Sequence, residues 1–271
     1  MPVSLPLRAC SSLSVIARNP TLRIDAKQAA PSSVQLDAIL GAVDTFFLNE
    51  FLPEPFIKGR QPEYLDDNQD EGAMVVNTGA VRSLGITFGL CRRISANDYE
   101  DLATNRKLRD GDVLLTTDGG TSIGKAAVFR TPTVEDGAPA ECGFTVDSHV
   151  AVLRPKGISP TLLAYLLCSP MGQIQFQRAE SGASGQTAVS EEDIRRFRFP
   201  RVPEAILAQA HDSFTASLDE ARRLEAAAYN RRQDGWAAFQ NILLRADDDN
   251  RVRLTARARP NETRQRQAVA S

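Results

Sequence analysis

The stretch whose spacing most resembles a cofactor motif is Gly119-Gly-Thr-Ser-Ile-Gly-Lys125, which fits GxxxxGK. A phosphate-binding loop of that form cradles phosphates with its amides. It also needs Ser or Thr next, to hold magnesium, and a helix whose N-terminus faces the phosphates. Here Ala126 follows, and the segment AAVFRTPTV is β-like and meets Pro132 before a helix could make two turns. The spacing therefore reads as a glycine-rich turn between two strands. His149 lies in a strand pattern and His211 in a helical one, neither with Cys, Asp or Glu at metal-ligand spacing. The cysteines (Cys10, Cys91, Cys142, Cys168) are scattered, with no CxxC, and read as reduced, mostly buried thiols. Asp98, Glu100, Asp101 and Lys107 sit in a loop and short helix rather than an acidic nuclease cluster. An adenine-methyltransferase motif (Asn or Asp, two prolines, an aromatic) is absent from the sequence. These residues predict no metal site, no cofactor bound by this chain and no catalysis by this chain alone.

The elements that would position any site follow from composition and periodicity. The 271 residues are 42% hydrophobic and 24% charged, ordinary values for a globular protein. The formal net charge of -2 counts against a protein that coats DNA through an overall basic surface, while leaving room for one basic face. No run approaches the roughly 18 apolar residues of a membrane span, and the first 14 residues lack a clean apolar stretch with a small-residue cleavage site. A cytoplasmic location is expected. Residues 1–20 read as an irregular leader, with a short extended piece over 21–24. Helical spacing of Leu36, Ile39, Leu40, Val43 and Phe46–Phe47 predicts a helix over 34–47, capped by Ser32 or Ser33. Residues 48–72 are loop-rich and end in an acidic run, and 73–77 read as a short buried strand. From 85 to 154 the signals are mostly β, with apolar runs over 113–116, 126–129 and 150–153 between Gly, Asp and Pro turns. Pro160 opens a helix to Cys168, a second begins near Pro170, and Ser190 caps a third.

Composition changes at Pro203. Ile206, Ala210, Phe214, Leu218, Ala221, Leu224 and Ala228 step by three or four, a narrow stripe on a helix running to about Leu244. Such a helix would be about 60 Å long, weakened locally at Gly235, where a bend is expected. Residues 246–271, with three aspartates and an arginine-rich stretch, are expected to be a disordered tail.

An ordered set of segments carries a family resemblance. The first is Leu108-Arg-Asp-Gly-Asp-Val-Leu-Leu-Thr-Thr-Asp-Gly-Gly-Thr-Ser-Ile-Gly-Lys125. It is followed by Ser148-His-Val-Ala-Val-Leu-Arg-Pro155, by Ser159-Pro-Thr-Leu-Leu-Ala-Tyr-Leu-Leu-Cys-Ser-Pro-Met171 and by Gly185-Gln-Thr-Ala-Val-Ser-Glu-Glu-Asp-Ile-Arg-Arg-Phe-Arg-Phe-Pro200. Leu22-Arg-Ile-Asp25 and Ile57-Lys-Gly-Arg60 match more weakly. Together, over roughly residues 21–245, they resemble the specificity subunit of type I restriction–modification systems. That family usually carries two recognition domains, each followed by a long helix. This chain holds one, and its proline-rich junction is reduced to Pro200-Arg-Val-Pro203, so the resemblance is to a half-length member.

The resemblance implies an α+β fold, with a twisted, mostly antiparallel β-sheet and flanking helices, then a long coiled-coil-type helix. Its domains would be a target-recognition domain over 21–202 and a spacer helix over 203–245. It implies that the chain reads double-stranded DNA and directs a separate adenine methyltransferase, which would use S-adenosylmethionine, and a restriction subunit. A homodimer through the helix would rebuild the two-part DNA site. Bases are read from polar side chains on loops, while cations fix phosphates. Three loops qualify. The first holds Lys58, Arg60, Asn77 and Thr78; the second Thr117, Asp118, Thr121, Ser122 and Lys125; the third Ser184, Gln186 and Thr187, with Arg195 and Arg196 beyond. Lys125, Arg195 and Arg196 suit phosphates, and Gln186, Thr187, Asp118 and Asn77 suit bases. Two other readings stay open at this point: an adaptor that kept the fold without reading DNA, and a nucleotide-binding enzyme using Lys125.

Overall fold

A computed structural model describes residue 27 and residues 30–65, 72–133, 142–182 and 187–245. The expected leader, the extended piece over 21–24, the acidic run before Gly72, Ser184, Gln186 and the tail after 245 lie outside the described residues.

The centre of the molecule is a four-stranded antiparallel sheet in the order β2-β10-β7-β8, formed by β2 (Ile57–Lys58), β10 (Val150–Leu153), β7 (Val113–Thr116) and β8 (Ala126–Val128). Every residue of β7 and β10 is buried, because both faces of this sheet are covered. Side chains alternate across a strand. Val113, Leu115, Ala151 and Leu153 therefore enter one core, with Leu163, Leu167 and Phe176. Leu114, Val150 and Val152 enter another, with Met74, Phe129 and Phe144. Two-sided burial explains why these strands read as continuous apolar runs.

The first face packs on α3 (Pro160–Cys168) and α4 (Pro170–Ala179). Each helix begins at a proline after a serine, and Ser159 and Ser169 accept hydrogen bonds from the amides of Leu162 and Gly172. The second face packs on a three-stranded sheet in the order β6-β3-β9, from β6 (Arg92–Ile94), β3 (Ala73–Val76) and β9 (Phe144–Val146). Here β3 and β9 run parallel, the exception among otherwise antiparallel pairings of the described strands. A small hairpin joins β4 (Val81–Arg82) to β5 (Gly85–Ile86). Ser95 caps α2 (Ala96–Glu100) and Ser190 caps α5 (Glu191–Arg195).

Near the start of the described chain the expectation changes. Helix α1 spans Pro31–Gly41, begins after Ala30 with no side-chain cap, and places Ser33 inside, where its hydroxyl donates to the Lys27 carbonyl. Phe46 and Phe47 belong instead to β1 (Thr45–Phe47), which pairs with β11 (Arg198–Pro200) so that Phe46 faces Phe199. The aromatic pair at helical spacing is taken by a strand partner 153 residues away, a pairing that periodicity alone does not reveal.

Helix α6 (Glu204–Arg245) is 42 residues long and passes through Gly235. The α+β class with antiparallel sheets and a long C-terminal helix is as expected. Its Leu207, His211, Thr215, Leu218 and Arg222, spaced by three or four, are its half-buried side towards the domain. Tyr165 of α3 shares a 2.9 Å hydrogen bond with Thr215, and its ring stacks edge-on with Phe214. Arg222 donates to the Leu84 carbonyl at 2.9 Å. The stripe anticipated over 206–228 is mostly on another side. Ile206, Phe214 and Leu224 are 50%, 46% and 58% exposed. No helix among the described residues is long and apolar enough to cross a membrane.

Candidate nucleic-acid interface

Strands β2, β3, β7, β9 and β10 place their adjoining polar segments at one end of the two central sheets. Gly59 is the tightest point of this arrangement. A Cβ there would lie 1.9 Å from the Val146 carbonyl oxygen, so only glycine lets the chain after β2 run against the end of β9. Lys58 and Arg60 are thereby set beside Asp147 and Ser148, and Ser148 donates to Gln61 at 3.4 Å.

Asp147 organises the next layer. Its carboxylate accepts the His149 amide at 2.9 Å and also bonds the amides of Val150 and Thr78, tying β3's end to β10's start. The side chain is buried, and burial pushes its pKa up, against the lowering by those amides and by the His149 charge. Asp118 holds the other side. Its carboxylate lies 3.1 Å from the Thr117 hydroxyl, 3.6 Å from Lys58 Nζ and 3.8 Å from His149 Nδ1.

The turn from β7 to β8 carries Asp118. Thr116 anchors it from below, its hydroxyl accepting the Lys125 amide at 3.1 Å and donating to the Ser122 carbonyl. Gly124 has φ +82° and sits where a Cβ would meet Phe176 at 2.8 Å, so the turn closes directly on α4. Ala126 continues as β8 rather than as a helix. Lys125 therefore faces no helix N-terminus, and the nucleotide-binding reading lacks its essential element. The third loop joins through Thr187, whose carbonyl accepts the Gly119 amide at 3.2 Å, and through the Val189 amide, which donates to Thr117 at 2.9 Å. The Thr187 hydroxyl donates to Glu180, whose carboxyl is held below its ordinary pKa by the bonded Lys27 ammonium and then by Thr187.

The structure brings Lys58, Arg60, Asn77, Thr78, Thr117, Asp118 and Thr187 to this end, with Thr121, Ser122 and Lys125 on the same turn as Asp118. Within that set the side chains differ in what they present. Thr117 is only 1% exposed, and Asn77 spends its amide internally, donating to the Leu90 carbonyl and accepting the Ala80 amide, both at 3.0 Å. Thr117 and Asn77 thus shape the loops, whereas Lys58, Arg60 and Thr121 are exposed.

Arg195 and Arg196 stand apart from the cluster. The Arg195 guanidinium bonds Glu191, the Leu52 carbonyl and the Glu54 carbonyl, and lies 5.1 Å from the Phe56 ring centre. Its donors lock a loop, so the side chain expected at a phosphate is engaged inside the domain. Arg196 is exposed and paired with Glu192 one helical turn away. His149, set aside in the sequence, is 54% exposed at its side chain and belongs to the cluster. The usable signal was its place at the head of an apolar strand whose opposite neighbour ends at Thr116, beside the polar turn.

No family model matches this chain, and no curated protein does. Twelve chains of solved structures match it. One, from work on complex assembly and conformational transition of the type I restriction–modification system, has 16% identity and a TM-score of 0.45, over 85% of this chain and 53% of its own. The S subunit of a type I restriction–modification system from M. genitalium has 13% identity and a TM-score of 0.39, over 76% of this chain and 50% of its own. The HsdS subunit from Thermoanaerobacter tengcongensis has 20% identity and a TM-score of 0.41, over 74% and 48%. The chain thus spans about half the length of the structures it matches.

Proposed function

We propose that this chain is a non-catalytic DNA-recognition subunit of a type I-like restriction–modification system. In this reading residues 21–202 read one part of a DNA site and residues 203–245 join the domain to a second copy. The observation that carries the reading is the convergence of separate polar loops around Lys58, Asp118 and His149 at one end of a doubly buried sheet. A rigid frame with exposed polar loops suits base reading, because position is set by the strands and chemistry by the turns. The ordered sequence segments supply the family. A separate methyltransferase using S-adenosylmethionine would supply the chemistry, with a restriction subunit as a further partner.

The helix supports the second half of the proposal. Beyond Arg222 it continues for 23 residues to Arg245, about 35 Å. Trp236, Phe239, Ile242 and Leu243 are all more than half exposed there. Two copies packed along this stripe would cover those residues and give a roughly symmetric, two-part DNA site.

Selection from random duplex DNA with the copurifying methyltransferase tests the reading. An enriched motif, lost on charge reversal at Lys58 and Lys125, is the expected result. Failure to enrich any motif, with both variants behaving as the parent, would favour an adaptor that keeps the fold without reading DNA.

A further inference from the structure

Beside the polar loops, along the outer edge of β2, lies a cavity of about 380 Å³ lined by Ile57, Lys58, Asn105, Arg106, Arg109, Arg154 and the Glu54–Phe56 segment. Four cations and one carboxylate face it, in a chain whose net charge is -2. The carboxylate is engaged first by Lys156, which pairs with Glu54 at 2.9 Å, and more weakly by the charges of Arg154 and Arg109. Arg154 is also engaged, bonding Asp112 through two nitrogens at 2.8 and 3.0 Å.

The other two arginines differ. Arg106 borders both this cavity and the one beside Arg60 and Asp98, and its buried Nη1 has no hydrogen-bond partner among the described residues, a donor that native structures usually complete with a water, an ion or a ligand. Arg109 is exposed, and among the described residues no hydrogen bond or ion pair engages its guanidinium. Their backbone is nonetheless held firmly. Asp112 accepts the Arg109 amide at 3.1 Å while gripping Arg154, and Arg154 reaches the Lys107 carbonyl at 3.4 Å. The Thr145 hydroxyl donates to the Arg106 carbonyl at 3.0 Å. A buried ion pair thus fixes the backbone segment that presents two guanidinium groups with donors to spare.

We propose that this pocket binds a phosphate group, with Arg106 and Arg109 as its donors, Lys58 completing the charge, and Asn105 at the rim. Resting on the DNA-recognition reading, the phosphate is one of the DNA backbone, next to the loops that face the bases. A planar guanidinium matches two phosphate oxygens at once, and a preformed pair loses little freedom on binding. Lys58 lies between the pocket and Asp118, so a phosphate here would fix the position of the loop cluster on the duplex.

The test measures binding of the full chain, together with its copurifying methyltransferase, to random-sequence duplex across a salt series, for the parent, Arg109→Ala, Arg106→Gln and Arg82→Ala, a control on the β4–β5 hairpin. The slope of log affinity against log salt should become shallower by about one in Arg109→Ala and in Arg106→Gln, with Arg82→Ala keeping the parent slope. Arg109 is exposed, so its variant folds even if Arg106→Gln does not. Duplex binding with an unchanged slope in Arg109→Ala would overturn the pocket assignment and leave DNA recognition standing. If the parent binds no duplex, the DNA reading fails, and inorganic phosphate decides the pocket. Thermal stabilisation by phosphate over chloride at equal ionic strength, lost in Arg109→Ala, would keep an oxyanion site with a different source. No such stabilisation would overturn it.

Discussion

Strand β7 and helix α6 use apolar residues to opposite ends. All four residues of β7 are buried, and their alternate side chains enter two different cores. Residues 204–243 of the helix include none that is buried, and seven large apolar side chains on it are exposed. The strand's partners are all within this chain. Beyond Arg222 the helix keeps Trp236, Phe239, Ile242 and Leu243 more than half exposed. Stability and association are therefore expected to reside in separate places, and substitutions can show whether they do.

The largest effect belongs to the sheet. Leu115→Ala should cost about 2–5 kcal/mol in chemical denaturation, from lost burial and the cavity left behind. A loss below about 1 kcal/mol would mean that β7 is not the shared wall of the two cores. Thr116→Val keeps the shape but removes the hydroxyl that holds the Ser122 carbonyl and the Lys125 amide. It should cost about 1–3 kcal/mol and, on the proposed DNA-recognition reading, weaken duplex binding through a loosened turn. An unchanged unfolding midpoint would count against that anchoring role.

Asp147→Asn tests the loop cluster in the other direction. Burial raises the folded pKa of Asp147, so protonation favours folding. Its relative contribution is fully present below the unfolded pKa and is lost as pH rises through the raised folded value. At neutral pH the charged, buried carboxylate is therefore a liability, and the amide variant should have the higher unfolding midpoint. The gain should fade as pH falls through the raised folded value and be gone below the ordinary aspartate range. Destabilisation at neutral pH would show instead that the bonds to the Thr78, His149 and Val150 amides require the charge.

The smallest effect on folding, and the clearest on assembly, belongs to the helix. Phe239→Ser with Ile242→Ser should change the domain's unfolding free energy by no more than about 0.5 kcal/mol. Sedimentation should show a dimer for the parent and a monomer for the variant. A dimer that survives both substitutions would place the association surface elsewhere.

Local punctuation made much of the domain legible. Strands β7 and β10 fall on the runs marked by their flanking turns, and α3, α4 and α5 begin where serine and proline indicate. What escaped the sequence was non-local. The partners of β1 and β2 lie far along the chain, and the parallel pairing of β3 with β9 spans about 70 residues. The candidate site was legible as loops but not as side chains. Residue type suggested Asn77 for a base and Arg195 for a phosphate, while the carbonyls that claim them lie at Leu90, Leu52 and Glu54. Conversely, nothing near His149 in sequence announces Asp118, which reaches it only across the β7–β10 pairing.

The double burial of β7 and β10 divides this chain into text that tolerates editing and text that does not. A one-residue slip in either strand would send each side chain into the wrong core at once, since the side-chain period is two. An insertion in the turn over 117–125 leaves that parity untouched where Gly124 still meets α4. Inheritance acting on such a chain can rewrite the turns while copying the strands letter for letter, and the chemistry of the loop end can change without a new fold.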